Sequence, residues 1–199
     1  MKVGKKVAEA LQIIREGGVV AFPTDTAYAL GVDPKNEAAV KKLYKIKGRK
    51  FDKPIGLVAA SLQQIKNLVQ LNKKEKELIE EYWPGPLTIL FKIKGNNKHL
   101  KSLGQKGTIG IRVPNNKYAR ELTQKFNYPV TATSANYSGR KPCYTTYGIV
   151  NQFMNKIYTP DYILDGGNLS MKKVSTFVKI KSGEVEIIRK GAIKIKKDD

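Results

Sequence analysis

The chain carries 37 basic residues, yet only six of them are arginine. Four of those six lie in segments punctuated by Gly or Pro: Arg49 in Lys47-Gly48-Arg49, Arg112 in Gly110-Ile111-Arg112-Val113-Pro114, Arg140 after Gly139, and Arg189 ahead of Lys190-Gly191. A planar guanidinium grips phosphate or carboxylate through two parallel hydrogen bonds, which an ammonium cannot do. In a chain that otherwise uses lysine, an arginine at a strand end or turn therefore points to oxyanion binding. Turns rich in hydroxyl and amide side chains add to this chemistry. Phe22-Pro23-Thr24-Asp25-Thr26-Ala27-Tyr28 closes one apolar run, Thr131 to Gly139 closes another, and Val174-Ser175-Thr176 opens a third. Open α/β sheets bind ligands at such strand-end turns. Hydroxyls and backbone N–H groups there can cradle phosphate oxygens without a glycine-rich loop.

Other chemistries find little support. Neither G-x-x-x-x-G-K-[ST] nor G-x-G-x-x-G occurs, so both phosphate-loop fingerprints are missing. The single histidine, His99, sits in the polar segment Gly95 to Gly107 with nothing nearby to orient it, and reads as a solvated loop residue. One cysteine, Cys143, cannot build a disulfide framework, and beside a single His it excludes ordinary Cys/His zinc sites. The net charge of +20 gives a surface that attracts phosphate-rich partners, whether nucleic acid, nucleotide or anionic membrane. A general lysine bias yields the same charge. No apolar stretch is long enough to span a membrane, and Met1 to Lys6 lead into no signal-like run. The expectation is a cytoplasmic protein with no membrane partner.

The elements that must position these residues read as one domain over 1–199, with a core from about 5 to 193 and a short basic tail from Lys194. Helical spacing predicts helices over Lys5–Gly17, from an Asn36 cap through Lys45, after a Ser61 cap, over Lys73–Trp83, around Asn116–Phe126 and over Thr145–Asn155. Strands are expected at Val19–Phe22, Ile55–Ala60, Leu87–Ile93, Thr108–Val113, Val130–Thr133, Tyr162–Leu164, Ser175–Ile180 and Glu184–Arg189. Pro84-Gly85-Pro86 reads as a rigid turn opening one of them. Helices alternating with strands imply an α/β fold, and a late hairpin at Ser182-Gly183 makes its sheet mixed. On the residues alone, this is a cationic, hydroxyl-lined cleft for phosphate and carboxylate, and its ligand is a nucleotide or RNA.

Taken in order, Pro23-Thr24-Asp25-Thr26-Ala27-Tyr28, Lys47-Gly48-Arg49, Trp83-Pro84-Gly85-Pro86-Leu87-Thr88, Ile111-Arg112-Val113-Pro114, Thr133-Ser134-Ala135-Asn136-Tyr137-Ser138-Gly139, Ser175-Thr176 and Ile188-Arg189-Lys190-Gly191 resemble the YrdC-like family of threonylcarbamoyl-AMP synthases. The resemblance runs from about Val19 to Ile193. It implies an open, twisted mixed sheet with flanking helices and a basic cleft. It also implies an enzyme that joins L-threonine, bicarbonate or CO2, and ATP with its Mg²⁺, releasing pyrophosphate. The product would serve a downstream tRNA threonylcarbamoyl-transferase complex, and direct tRNA contact suits the charge. By the same resemblance, Lys47 and Arg49 match a K-x-R pair on the phosphates, and Ser134 with Asn136 an S-x-N partner; these four are the catalytic candidates. Lys53, Thr108 and Arg189 fall where further ATP contacts lie. Thr26, Arg112 and Ser175 match threonine contacts, with Tyr28 lining the same pocket and Arg112 suited to the carboxylate.

The chain departs from the family pattern at a few positions. Ala29 replaces a usual Gly, Val58 a His found in some members, Pro142 a frequent Ser, and Lys179 a frequent acid. Two other readings stay open on the residues: a non-catalytic RNA-binding module on this fold, and a threonine- or nucleotide-binding regulator without turnover. The presence of both Lys47-Gly48-Arg49 and Ser134-Ala135-Asn136 favours turnover.

Overall fold

Asparagine opens four of the helices in a computed structural model that describes residues 1–195. Its side-chain oxygen accepts from a backbone N–H in the first turn, satisfying a donor the helix itself cannot. Asn36 does so to Ala39 at 3.0 Å for α2 (Glu37–Lys47), and Asn72 to Glu75 at 2.8 Å for α4 (Lys73–Tyr82). Asn97 holds Leu100 at 3.1 Å for α5 (Lys98–Leu103), and Asn116 holds Ala119 at 3.2 Å for α6 (Lys117–Phe126). Thr145 caps α7 (Thr146–Phe153) in the same way, while α1 (Val7–Arg15) and α3 (Leu62–Ile65) begin without a side-chain cap. The expected Ser61 cap is thus replaced: Gln64 reaches back to accept from the Ala60 N–H at 2.9 Å. The helix α5 stands where the sequence reads as a polar loop. Lys, Asn and Gly around it hid the Leu100/Leu103 pair, which is buried at i, i+3 spacing. His99 lies on this helix and is exposed, so it is solvated as expected but not in a loop.

The strands are β1 (Lys2–Gly4), β2 (Val20–Phe22), β3 (Ala29–Gly31), β4 (Gly56–Val58), β5 (Leu87–Lys92), β6 (Thr108–Arg112), β7 (Val130–Ser134), β8 (Tyr162–Leu164), β9 (Thr176–Lys181) and β10 (Glu184–Arg189). They form one ten-stranded mixed sheet in the order β1-β8-β2-β3-β7-β4-β6-β5-β9-β10. Both β1 and β3 escape the sequence reading, because three residues are too few to show a period of two. The Pro84–Pro86 turn locks the central strands together: Gly85 N–H donates to Val113 O at 2.8 Å, and Pro86 O accepts from Thr176 N at 2.9 Å. In the β9–β10 hairpin Lys179 stands opposite Glu186 and pairs with it at 2.8 Å, a local use for the lysine that departs from the family pattern.

Two apolar clusters hold the sheet. The larger packs α2, α4, α5 and α7 on the central strands around Leu43, Leu57, Ile89, Phe91 and Ile111. The smaller sits between α1, α6 and the β2/β8 edge around Ile14, Phe22, Leu122 and Tyr162. The larger cluster also takes in Ile193 and Ile195, so the chain stays packed past Lys194, where a tail was expected. The remainder of that tail, 196–199, lies outside the described residues. Among the described residues no helix is long and apolar enough to cross a membrane.

Candidate active site

Side chains alternate across a strand, so every second residue of adjacent strands builds one face. On the central strands that face carries Gly56 and Val58, Thr108, Gly110 and Arg112, Thr88 and Leu90, Ala132 and Ser134, and Phe177. All of them line a cleft of about 770 Å³. The opposite face sends Leu87, Ile89, Phe91, Ile111 and Val178 into the core. The floor is made of small residues. A Cβ on Gly56 would lie 2.9 Å from the Gly110 carbonyl oxygen, closer than such contacts allow, so only glycine fits there.

The β2–β3 loop forms one wall. Thr24 Oγ donates to Ala27 O at 2.6 Å and accepts from the N–H of Thr26 at 3.2 Å and of Ala27 at 3.3 Å, tying the loop into a fixed turn. The turn brings Thr26 to Arg112, whose Nη1 donates to Thr26 Oγ1 at 3.2 Å and sits 2.9 Å from Asp25 Oδ1. Burial pushes the Arg112 guanidinium downward, with Arg189 adding to that push and Asp25 opposing it. Tyr28 borders the cleft but is fully buried, and its hydroxyl is engaged elsewhere. It donates to Gly167 O at 2.8 Å and accepts from Gly166 N at 3.0 Å, holding the β8–β9 loop, and burial lifts it to about 12.

A second corner lies where α2 ends. Gly48 adopts the left-handed conformation (φ 57°), and a Cβ there would collide with the Tyr137 ring at 2.2 Å. Lys47, just before it, is buried. Its Nζ donates to Ser134 O at 2.6 Å, Asn136 O at 2.7 Å and Asn136 Oδ1 at 2.8 Å. Burial and then the nearby Arg49 push this ammonium down to about 7, with Cys143 opposing them. Ser134 Oγ donates to Asn136 Oδ1 at 2.5 Å, and Asn136 Nδ2 donates to the Arg140 carbonyl. Lys47 and Asn136 therefore stand behind the cleft wall, while Ser134 is on it.

The remaining candidates divide. Arg189 donates to Ser175 O through Nε at 3.2 Å and Nη2 at 3.0 Å, and to Ser175 Oγ at 3.0 Å; Ser175 Oγ also meets Thr88 Oγ1 at 2.8 Å. Arg49 is half-exposed, with one donor on Pro54 O at 3.3 Å, and Thr108 donates to Gln105 O at 2.7 Å. Arg49, Thr108, Ser175 and Arg189 all line the cleft; Lys53 does not, being exposed on a turn where its carbonyl accepts from Tyr44. Among the described residues no group of three His, Cys, Asp or Glu side chains is placed to hold a metal ion.

The family model described as "Telomere recombination", for Sua5, YciO and YrdC proteins, matches residues 12–191. The chain belongs to the Sua5/YciO/YrdC family. A Methanocaldococcus jannaschii protein, provisionally named threonylcarbamoyl-AMP synthase, is 37% identical over 97% of this chain and 89% of its own length. The Bacillus subtilis threonylcarbamoyl-AMP synthase is 32% identical over 94% of this chain and 54% of its own. A structure of Pyrococcus abyssi Sua5 complexed with L-threonine superposes with a TM-score of 0.83 at 29% identity, over 96% of this chain and 57% of that one. The chain thus spans about half the length of the Bacillus and Pyrococcus relatives.

This member of the Sua5/YciO/YrdC family brings most of its candidate residues to one cleft, and it uses others the sequence did not single out. Thr88, Gly56, Gly110 and Ala132 form floor and wall. Period-two spacing of small residues on β4, β6 and β7 is the signal that could have found them. Asp25 is a different matter: its neighbours were legible as a turn, but its pairing with Arg112 bridges 87 positions of sequence and shows only in the fold. The departures at Ala29, Val58 and Pro142 all line the cleft as well, where Val58 presents an apolar surface in place of an imidazole.

Proposed function

We propose that this chain is a threonylcarbamoyl-AMP synthase, condensing L-threonine, bicarbonate or CO2, and MgATP into threonylcarbamoyl-AMP and pyrophosphate. The observation that carries this is a single cleft with two kinds of cation on it. Arg112 stands buried beside the Thr26 hydroxyl, with the hydroxyls of Thr88 and Ser175 on the same cleft, suited to a small hydroxylated amino acid, while Arg49 and Arg189 serve the phosphates. The threonine bound in the Pyrococcus relative supports the first half.

The chemistry suits these side chains. The threonine ammonium nitrogen forms a bond to the carbon of CO2, releasing two protons to solvent, or of bicarbonate, releasing water and one proton, and in either case keeps one N–H in the carbamate. A carbamate oxygen then bonds to the α-phosphorus as the bond to the pyrophosphate oxygen breaks. That oxygen is already anionic, so the step asks for alignment and charge neutralisation more than for a strong base. Arg49 and Arg189 offer fixed positive charge where the phosphates would lie, and Ser134 offers a hydroxyl at the same wall. Mg²⁺ enters as part of the nucleotide substrate, carried by phosphate oxygens and water. The adenylate would then pass to a tRNA threonylcarbamoyl-transferase complex, and the +20 charge suits contact with tRNA on the way.

The test is pyrophosphate release from MgATP with threonine and bicarbonate omitted in turn. Release that needs both supports the synthase. Release with neither, or none from folded protein, rejects it, and RNA binding that falls steeply with salt and ignores threonine would then favour a binding module.

A further inference from the structure

Asp25 sits in the Thr24–Ala27 turn with its side chain more than nine-tenths buried, facing an equally buried Arg112. The ion pairs Lys42–Asp161 and Lys125–Glu121, by contrast, leave both partners at least a third exposed. Asp25 Oδ1 approaches Arg112 Nη1 at 2.9 Å, and among the described residues neither carboxylate oxygen receives a hydrogen bond. A pair so desolvated and so poorly bonded adds little to stability, because the cost of removing both charges from water offsets their attraction. It does fix a geometry. The turn is held on both sides of Asp25 by Thr24 Oγ, so the carboxylate has no freedom to follow the guanidinium. Nη1 is then occupied by Asp25 and by Thr26 Oγ1, and among the described residues nothing bonds to Nε or Nη2. Those two atoms form the edge that takes a carboxylate through parallel hydrogen bonds.

We infer that Asp25 is a positioning residue for substrate recognition: it holds Arg112 by Nη1 so that the Nε/Nη2 edge stays available for the carboxylate of the amino-acid substrate. This rests on the threonine-site reading above. Asp25 acts through Arg112 and touches no reacting atom.

The experiment is steady-state kinetics of Asp25→Asn, which keeps the shape and removes the charge, with threonine and ATP varied separately. The expected result is a rise of about tenfold or more in KM for threonine, with kcat within about threefold and KM for ATP within about twofold. A threonine KM that does not move, or one that falls, overturns the inference, and so do equal losses in kcat and both KM values, which would mark a general structural role. If Asp25→Asn fails to fold, Asp25→Glu carries the same split, since it keeps the charge and displaces the carboxylate by one methylene. The unsubstituted protein separates the two levels: turnover without a threonine requirement counts against the proposed function, whereas a threonine requirement that Asp25→Asn leaves intact counts against this inference alone.

Discussion

Lys47 and Arg112 are both buried cations beside one cleft, and they use their charge in opposite ways. Lys47 turns inward, and its three N–H groups meet oxygens of the Ser134–Asn136 turn at 2.6 to 2.8 Å. Arg112 gives one corner of its guanidinium to Asp25 and Thr26 and keeps the rest for the cleft it lines. The shapes of the two groups explain the division. A compact ammonium gathers several backbone oxygens around a point, whereas a planar fork can be held at one end and still present the other. A phosphate contact through Lys47, as the family pattern implies, requires it to give up one of those oxygens. Arg49, two residues on and half-exposed, is already on the cleft.

This contrast can be broken at four places. The largest effect is expected from Lys47→Met, which removes three hydrogen bonds from the turn and leaves the Asn136 carbonyl with no other donor. At roughly 1 kcal/mol or more each, about 3 kcal/mol of stability is lost, and the melting temperature falls by about 6–12 °C together with turnover. Turnover lost with no change in melting would instead make Lys47 a ligand-facing group. For Arg49→Ala the pattern reverses: pyrophosphate release drops by about a hundredfold or more while melting moves by less than about 2 °C. Intact turnover would remove Arg49 from the site. Next comes Arg112→Lys, which keeps the charge for Asp25 but loses the fork; the threonine KM rises about tenfold with the ATP KM unmoved. Equal shifts in both would dissolve the distinction between the two ends of the cleft.

Tyr28→Phe is the mildest. It removes the hydroxyl between Gly166 and Gly167 and lowers stability by about 1 kcal/mol at neutral pH. The deficit narrows in alkali. Folded Tyr28 keeps its proton to about 12, while the unfolded chain releases it near 10, so folding binds the proton more tightly and the wild type loses stability as pH rises from about 10 towards 12. Chemical denaturation across that range should show the deficit of the phenylalanine variant shrinking. A widening deficit would contradict the assignment of that burial to Tyr28.

What could be read from the sequence follows the range of the forces involved. The Asn36 cap and the Ser182-Gly183 hairpin are local, and the sequence announces them. Of the four turn arginines, Arg49, Arg112 and Arg189 line the cleft, because residue type carries their chemistry, whereas Arg140 is exposed and lies off it. Three kinds of feature were not legible. The strands β1 and β3 are three residues long; β1 pairs only with β8, 160 positions away, and β3 joins β2 to β7, whose residues lie more than a hundred positions on. The helix α5 is hidden by its polar flanks. Asp25 meets Arg112 across 87 positions, a pairing that only the fold shows; for Lys47 and Asn136, 89 positions apart, the resemblance names both residues but not the direct hydrogen bonds between them. For Lys53 motif position suggested a cleft residue, but its side chain projects from an exposed turn.

In the proposed reaction one cleft joins a carboxylate-bearing amino acid to a nucleotide. The most direct test is to supply labelled bicarbonate and labelled threonine with MgATP and to identify the adenylate formed. The expected result is one product carrying both labels on AMP, formed in step with pyrophosphate. An adenylate lacking the bicarbonate carbon, or ATP cleavage with neither label retained, would contradict it.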